Sequence, residues 1–473
     1  MARQPARSRS PRSPQSAVPQ KQAASTVITG SGQFTGRLLV LLRDDGINEG
    51  LAALKSAAGL SDVCRAADFE GSSVDIAQAG KAEVLLLDHL KIAVVTADTR
   101  QTGSLMSAMD DGGAIVSVEP ERIMYALADG ATTGGLQGMP LQYLRGYRDA
   151  VNHLYEVLSS GTSQTQYLKG LAAAFADTDR FAWGLQATKV DRSRFKGQDV
   201  RVAVLDTGLD LTHPDFAGRS ITHASFVTGE DVQDENSPGH GTHCIGTSMG
   251  PMLPPGGLRR YGCASSAEIF AGKVLSNAGS GADGGILAGI NWAVANQCRI
   301  VSMSLGAPVA VGEPFSTIYE VVAQRALKSK PGTLIIAAAG NSSRIGPGQR
   351  KDPPNPVVRP ANCPSVMAVA AVDSNLGIAP FSDGGINPDG GGVDIAGPGV
   401  DVFSSLPLAR GGHGNLSGTS MATPHVAGIA ALWLEARGPS TTAQELWQIL
   451  TGNALRLNLP SRDVGAGLVQ APV

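Results

Sequence analysis

Between Gly36 and Leu127, apolar runs of strand length alternate with stretches of helical spacing. The pattern predicts a strand over "RLLVLLRD", a helix over "INEGLAALKSAAG", strands near "VCRAAD" and over "KIAVVTAD", a helix over "SLMSAMDDGG" and a strand over "AIVSVEPERIMYAL". That order, βαββαβ, implies a small ferredoxin-like α+β domain over 36–127. From Trp183 onwards the period changes. Short apolar strands ("VRVAVLD", "EIFAGKVL", "RIVSMSLG", "TLIIAAAGN", "VMAVAAVD") are set among helices: one from His240, "GGILAGINWAVAN", "STIYEVVAQRALKS" and one at Ser420. Such alternation predicts an α/β domain over 181–473, a doubly wound, mostly parallel sheet covered on both faces. Ligands of these sheets sit outside the carboxyl ends of the strands. Residues 128–180 turn from Gly-rich to amphipathic and predict a linker carrying a helix. Residues 1–35, basic and rich in Pro, Ser and Gln, predict a disordered leader.

Composition narrows the function classes. The 473 residues are 42% hydrophobic and 17% charged with a formal net charge of -3, enough for large cores and without a global bias towards nucleic acid. No nucleic-acid partner is expected. No apolar run approaches the roughly 20 residues of a membrane helix, so no membrane span is expected either. The start of the chain lacks the apolar segment of a secretory signal, which favours the cytoplasm or leaderless export. Cys64, Cys244, Cys263, Cys298 and Cys363 are odd in number and form no CxxC pair, which indicates neither a zinc site nor a dense disulfide framework and is compatible with one or two bridges. No cofactor and no metal are expected.

Three residues at loop and helix boundaries then acquire meaning together. Ser420 opens the helix in "SGTSMATPHVAG", where a serine also serves as ordinary helix-start chemistry. A helix N-terminus, however, directs backbone N–H groups and the positive end of a dipole at whatever lies there, which suits a developing oxyanion. Asp206 ends the strand "VAVLD", and His240 opens "HGTHCIGT". Either alone reads as a turn cap or a structural histidine. A serine hydroxyl is a poor nucleophile near neutral pH, so it needs an imidazole to take its proton and a carboxylate to fix that imidazole's tautomer. Asn341, at the end of "AAAGN", has the side-chain amide an oxyanion needs.

The set "VAVLDTGLDLTHPDF", "GHGTHCIGT", "SMSLG", "AAAGN" and "SGTSMATPHVAG" resembles the motifs of the subtilisin family of serine peptidases, in the family's order, from about Trp183 to the carboxyl terminus. The resemblance implies a subtilisin-like fold and a serine endopeptidase acting on protein or peptide substrates. It also implies catalytic roles for Asp206, His240 and Ser420, with Asn341 completing the oxyanion hole. His243 is then structural. By the same resemblance Ser304, Leu305 and Gly306 form a wall of the primary specificity pocket, Gly279, Ser280 and Gly281 pair with extended substrate, and Gly340 lines the cleft beside Asn341. Small residues suit those positions because bulky side chains would keep a peptide from adding as a strand. The ending "VSVEPERIMYAL" resembles the tail of the family's inhibitory propeptide, which implies an intramolecular partner and a first cleavage after or close to Leu127.

Departures are also visible. Asp215 of "HPDF" matches a family calcium-ligand position, but "MGPMLPPGGLRRYGC" does not resemble the usual calcium loop, and one carboxylate makes no site. Cys244 sits as in thiol-containing members and is expected to be buried and unreactive. An α/β-hydrolase esterase is rejected by order: after Ser420 the remaining histidine, His425, lies on the same helix. Two other readings stay open, a silent binding module of the same fold and a maturation peptidase dedicated to one partner.

Overall fold

A computed structural model describes residues 34–127, apart from 45, 70, 72, 75–78 and 110–112, and residues 175–473, apart from 386–389. The expected leader up to residue 33, and residues 128–174 of the linker with a helix expected over 128–180, lie outside the described residues.

The N-terminal part runs β1 (Phe34–Leu42), α1 (Ile47–Ala58), β2 (Val63–Arg65), β3 (Val84–Leu87), β4 (Ile92–Val95), α2 (Thr99–Ser107) and β5 (Ile115–Ala126). Its sheet has the order β5-β1-β4-β3-β2. β1 is antiparallel to both β4 and β5, and β3 is antiparallel to β4, which is the ferredoxin-like arrangement. One expectation needs correcting. The inner hairpin is β3–β4, and "VCR" of β2 is an added strand parallel to β3 at the edge. The pattern passed over β3 because "VLLL" is buried along its whole length, so it carries no alternation to read. Likewise α2 begins at Thr99 rather than Ser104. A capping box fixes that start: Gln101 N–H donates to the Asp98 carboxylate (2.7 Å) while Asp98 N–H donates to Gln101 Oε1 (2.9 Å).

β1 is buried on both faces because its alternate residues serve two cores. Leu38, Val40 and Leu42 pack with Leu54, Leu86 and Leu105 inside the small domain. Leu39 and Leu41 point the other way and join Val94, Met124, Ile286, Leu287 and Ile290. At about 1.5–3 kcal/mol per buried aliphatic side chain, this second face outweighs the exposed ion pairs, worth about 0–1 kcal/mol each, in holding the small domain down.

The larger part contains β6 (Arg201–Asp206), β7 (Ile221–Ser225), α3 (His240–Met249), β8 (Glu268–Lys273), β9 (Ser280–Ala282), α4 (Asp283–Ala295), β10 (Ile300–Met303), β11 (Leu305–Gly306), α5 (Thr317–Lys328) and β12 (Leu334–Ala338). There follow a hairpin of β13 (Arg344–Gly346) and β14 (Gln349–Arg350), then β15 (Met367–Val372), β16 (Ile395–Pro398), a second hairpin of β17 (Val402–Ser405) and β18 (His413–Leu416), α6 (Thr419–Arg437) and α7 (Ala443–Gly452). Seven strands form one sheet in the order β16-β15-β12-β10-β6-β8-β7, every pair parallel. β7 and β8 lie to one side of β6, and β10, β12, β15 and β16 follow in succession on the other. The reversal opens a crevice at the carboxyl ends of β6 and β10.

α6 is buried on all sides from Thr419 to Leu434, as its continuous apolar sequence requires. Pro424 lies inside it and has no N–H to give the carbonyl of Ser420. That carbonyl instead accepts from Ser304 Oγ (2.8 Å), beyond β10, and from Cys244 Sγ (3.5 Å), on α3. The proline thus ties the mouth of α6 to both walls of the crevice.

Candidate active site

Asp206 is the last residue of β6, its carboxylate at the switch point and 1% exposed. Gly241 allows α3 to approach closely: a Cβ there would stand 2.3 Å from the carbonyl oxygen of Gly208. The approach puts His240, first residue of α3, against Asp206, and His240 Nδ1 donates to Asp206 Oδ1 over 2.7 Å. The same oxygen accepts from Thr207 N–H (2.7 Å). Donation from Nδ1 leaves His240 Nε2 with the ring's lone pair, and that buried atom has no hydrogen-bond partner among the described residues. Cys244, one turn further along α3, lies 3.9 Å from His240 Nδ1 and reaches the carbonyl of Ser420, so it spans the space between the two α-helices.

Ser420 does not give its proton to His240 here. Its hydroxyl lies 2.6 Å from the carbonyl oxygen of Leu127, to which it donates, with the carbonyl of Ser304 at 3.1 Å as the other acceptor. Asn341 Nδ2 donates to that same Leu127 carbonyl. The Asn341 amide is oriented from behind, its Oδ1 accepting from Thr419 N–H (2.9 Å) and Thr419 Oγ (2.8 Å).

Leu127 is carried into the crevice by β5. Tyr125 and Met124 pair antiparallel with Ser280 and Gly281, and Ala126 N–H donates to the carbonyl of Gly279 (2.9 Å). On the other side Ala126 and Tyr125 pair with Leu305 and Gly306, and Leu127 N–H donates to the carbonyl of Ser304 (3.2 Å). Leu127 lies against Gly306, where an added Cβ would meet its Cδ1 at 3.2 Å. Gly340 forms the floor beside Asn341: φ is +116° and a Cβ would stand 2.3 Å from Asp383 Oδ2. Ser420, Asn341, Gly279–Gly281 and Ser304–Gly306 therefore surround one extended segment.

The subtilase family profile matches residues 197–467. The chain belongs to the subtilase family. It is 37% identical over 285 residues to subtilisin DY of Bacillus licheniformis, covering 60% of this chain and 94% of that protein. It is 40% identical over 292 residues to a thermostable alkaline protease of Halalkalibacterium halodurans, covering 61% and 72%. With subtilisin E of Bacillus subtilis the identity is 39% over 260 residues, covering 55% and 62%. The chain is a serine endopeptidase.

Within this subtilase the electrostatics single out one histidine. Burial disfavours a charged His240, but the adjoining Asp206 carboxylate outweighs it and holds the imidazole's pKa well above the ordinary histidine value. His243 and His425 are buried without a carboxylate, and burial lowers them to about 3 and about 4. Both are neutral framework groups; His243 Nε2 donates to the carbonyl of Val402 (2.9 Å). Burial raises the Cys244 thiol, which disfavours the thiolate. All five cysteines are free.

Two features, and the partners of a residue singled out above, Asp215, went unread in the sequence. Asp383, far along the chain from Asn341, braces the loop that follows it: its carboxylate accepts from Ser342 N–H (3.1 Å), from Ser342 Oγ and from Ser343 Oγ (2.6 Å), and burial raises its pKa to about 6. Two carboxylates of β5 sit at the N-termini of α4 and α5. Glu121 accepts from Gly284 N–H (2.9 Å) and Glu119 from Ile318 N–H (3.1 Å), a favourable placement against each helix dipole. Asp215 lies in a buried cluster in which His413 Nε2 (2.7 Å) and the Tyr261 hydroxyl donate to its carboxylate. Among the described residues two groups have metal-ligand donor types within 4.8 Å of one another, His213 with Asp215 and His413, and Asp206 with His240 and Cys244. In both, the side chains also hydrogen-bond to one another or to the backbone. No helix among the described residues is long and apolar enough to cross a membrane.

Proposed function

We propose that Ser420 is the nucleophile of this subtilase, His240 its base, Asp206 the group that orients and stabilises the imidazolium, and Asn341 an oxyanion donor. We further propose that the chain is a precursor whose domain 36–127 folds its own tail into the cleft and is cut after Leu127. The position of the Leu127 carbonyl carries this assignment, because Ser420 Oγ and Asn341 Nδ2 converge on one oxygen. Ser420 Oγ attacks the Leu127 carbonyl carbon while its proton passes to His240 Nε2. The oxygen takes up the negative charge against Asn341 Nδ2 and the backbone N–H at the mouth of α6. Collapse breaks the bond to Ala128, whose nitrogen leaves with the proton from His240, and water then hydrolyses the acyl-enzyme with the same base. That Ser420 and His240 are not bonded here fits a ground state, since catalytic hydrogen bonds tighten on the way to the transition state.

The oxyanion assignment is tested by Asn341→Ala. Turnover of a peptide substrate is expected to fall about 10²–10³-fold, the size known for the equivalent donor in subtilisin, with KM changed far less. A variant with near-full turnover would remove Asn341 from the site.

A further inference from the structure

We infer that Glu313 forms a cation-recognising subsite for the sixth residue before the scissile bond, so that this subtilase prefers peptides with arginine or lysine there. The inference rests on the proposed placement of the scissile bond after Leu127. Counting back from Leu127, the sixth residue is Arg122, on β5 beyond the segment that pairs with β9 and β11.

Two contacts define the subsite, and they separate backbone from side chain. Arg122 N–H donates to Asp283 Oδ2 over 2.9 Å. Asp283 is 0% exposed and held in place, its Oδ1 accepting from the Tyr319 hydroxyl (2.9 Å) and the Arg359 guanidinium standing 3.6 Å from Oδ2. This bond recognises any residue, and it fixes where the sixth side chain begins. From that point the Arg122 guanidinium reaches Glu313, with Nη2 2.7 Å from Oε1.

Glu313 is built to receive it. Its other oxygen accepts from Ala310 N–H (2.9 Å) and its own N–H donates to the carbonyl of Ala310 (3.0 Å), so the carboxylate is tied to the loop between β11 and α5 at both ends. A braced acceptor loses little rotamer freedom on binding a cation. Burial works against the charged carboxylate, but the Ala310 N–H and the Arg122 guanidinium outweigh it and lower the pKa of Glu313, keeping it anionic in the neutral range. Both side chains of the pair are partly exposed, 21% for Arg122 and 27% for Glu313, so the preference is one of selectivity and is sensitive to salt. Glu313 belongs to the larger domain and would remain after the small domain is gone.

The test uses the full chain as purified and three synthetic peptides, Xaa-Ile-Met-Tyr-Ala-Leu-Ala-Asp-Gly with an acetylated amino terminus and Xaa as Arg, Ala or Glu. Products are mapped by mass and kcat/KM is compared within each enzyme, which makes the ratios independent of how much of a variant is folded. The wild type should favour Arg over Ala roughly two- to fivefold and Arg over Glu about tenfold, with both ratios shrinking at high salt. Glu313→Gln should flatten the series and Glu313→Arg should invert it. Equal rates on all three peptides in the wild type, cut after Leu, would overturn the subsite and leave the proposed function intact. Cleavage at another bond, or none, would overturn both.

Discussion

Ser420→Ala is expected to lower turnover of a peptide substrate by about 10⁶-fold, as loss of the nucleophile does in a subtilisin, while the protein stays folded. The methyl group retains most of the buried volume of the side chain and removes the hydroxyl proposed to form the acyl bond. Among the described residues Ser420 Oγ donates to the carbonyls of Leu127 and Ser304, so its loss leaves the Asp206–His240 pair and the Asn341–Thr419 contact in place. The remaining oxyanion donors should keep a residual rate about 10³–10⁴ above that in water. Steady-state kinetics on a chromogenic peptide, with circular dichroism to check folding, decides it. A loss below about 100-fold would mean that another group attacks, since oxyanion donors alone account for effects of that order.

The second large effect belongs to Asp206. Asp206→Asn is expected to lower kcat by about 10⁴ and to move the acid limb of the pH–rate profile to lower pH. The first part follows from the tautomer. Asp206 Oδ1 accepts from His240 Nδ1, which leaves Nε2 free to take a proton, whereas an asparagine amide can donate to Nδ1 and favour the reverse. The second follows from charge. Burial alone lowers the imidazole pKa, and Asp206 raises it well above the ordinary value, so removing the carboxylate leaves burial in command. A base must be neutral to act, hence wild-type activity rises with pH above the range of an ordinary histidine, and the variant's residual activity rises earlier. Stability carries the same sign. The raised pKa contributes stability that is present below about 6.5 and lost as pH rises through the folded value, and Asp206→Asn should remove that loss. A profile whose limb does not move would show that the charge on Asp206 does not govern His240.

Much of the candidate site was legible because its residues are concentrated in short segments. "VAVLD" ends on Asp206 at the carboxyl end of a buried strand, and "HGTH" and "GTSMATP" start α-helices at His240 and near Ser420. The supporting groups were illegible for the opposite reason. Asp383 meets Ser342 and Glu313 meets Arg122 only after remote segments converge, and nothing local marks either carboxylate. The fold divides in the same way. Apolar runs flanked by glycine, such as "LIIAAAG", announced β12, whereas "ITHAS" of β7 is too polar to read as a strand and, among the described residues, pairs on one side alone, with β8. β3 was hidden by uniform burial and α2 by a start set through side-chain capping rather than periodicity.

The polar contacts of the small domain explain its register in the cleft. Glu119 and Glu121 alternate along β5 with Val118 and Pro120, and each finds a helix N-terminus. A slip of one residue would turn both carboxylates away and withdraw Leu127 from Asn341. Buried Leu39, Leu41 and Met124 supply the affinity, and the two carboxylates supply the alignment.

Intact mass and N-terminal sequencing of the purified wild type and Ser420→Ala chains address the bond that Ser420 and Asn341 hold between them. The wild type should lose the residues up to Leu127 and show a new terminus at Ala128, and Ser420→Ala should keep that bond whole. Loss of the same residues from Ser420→Ala, with no other protease present, would contradict the account.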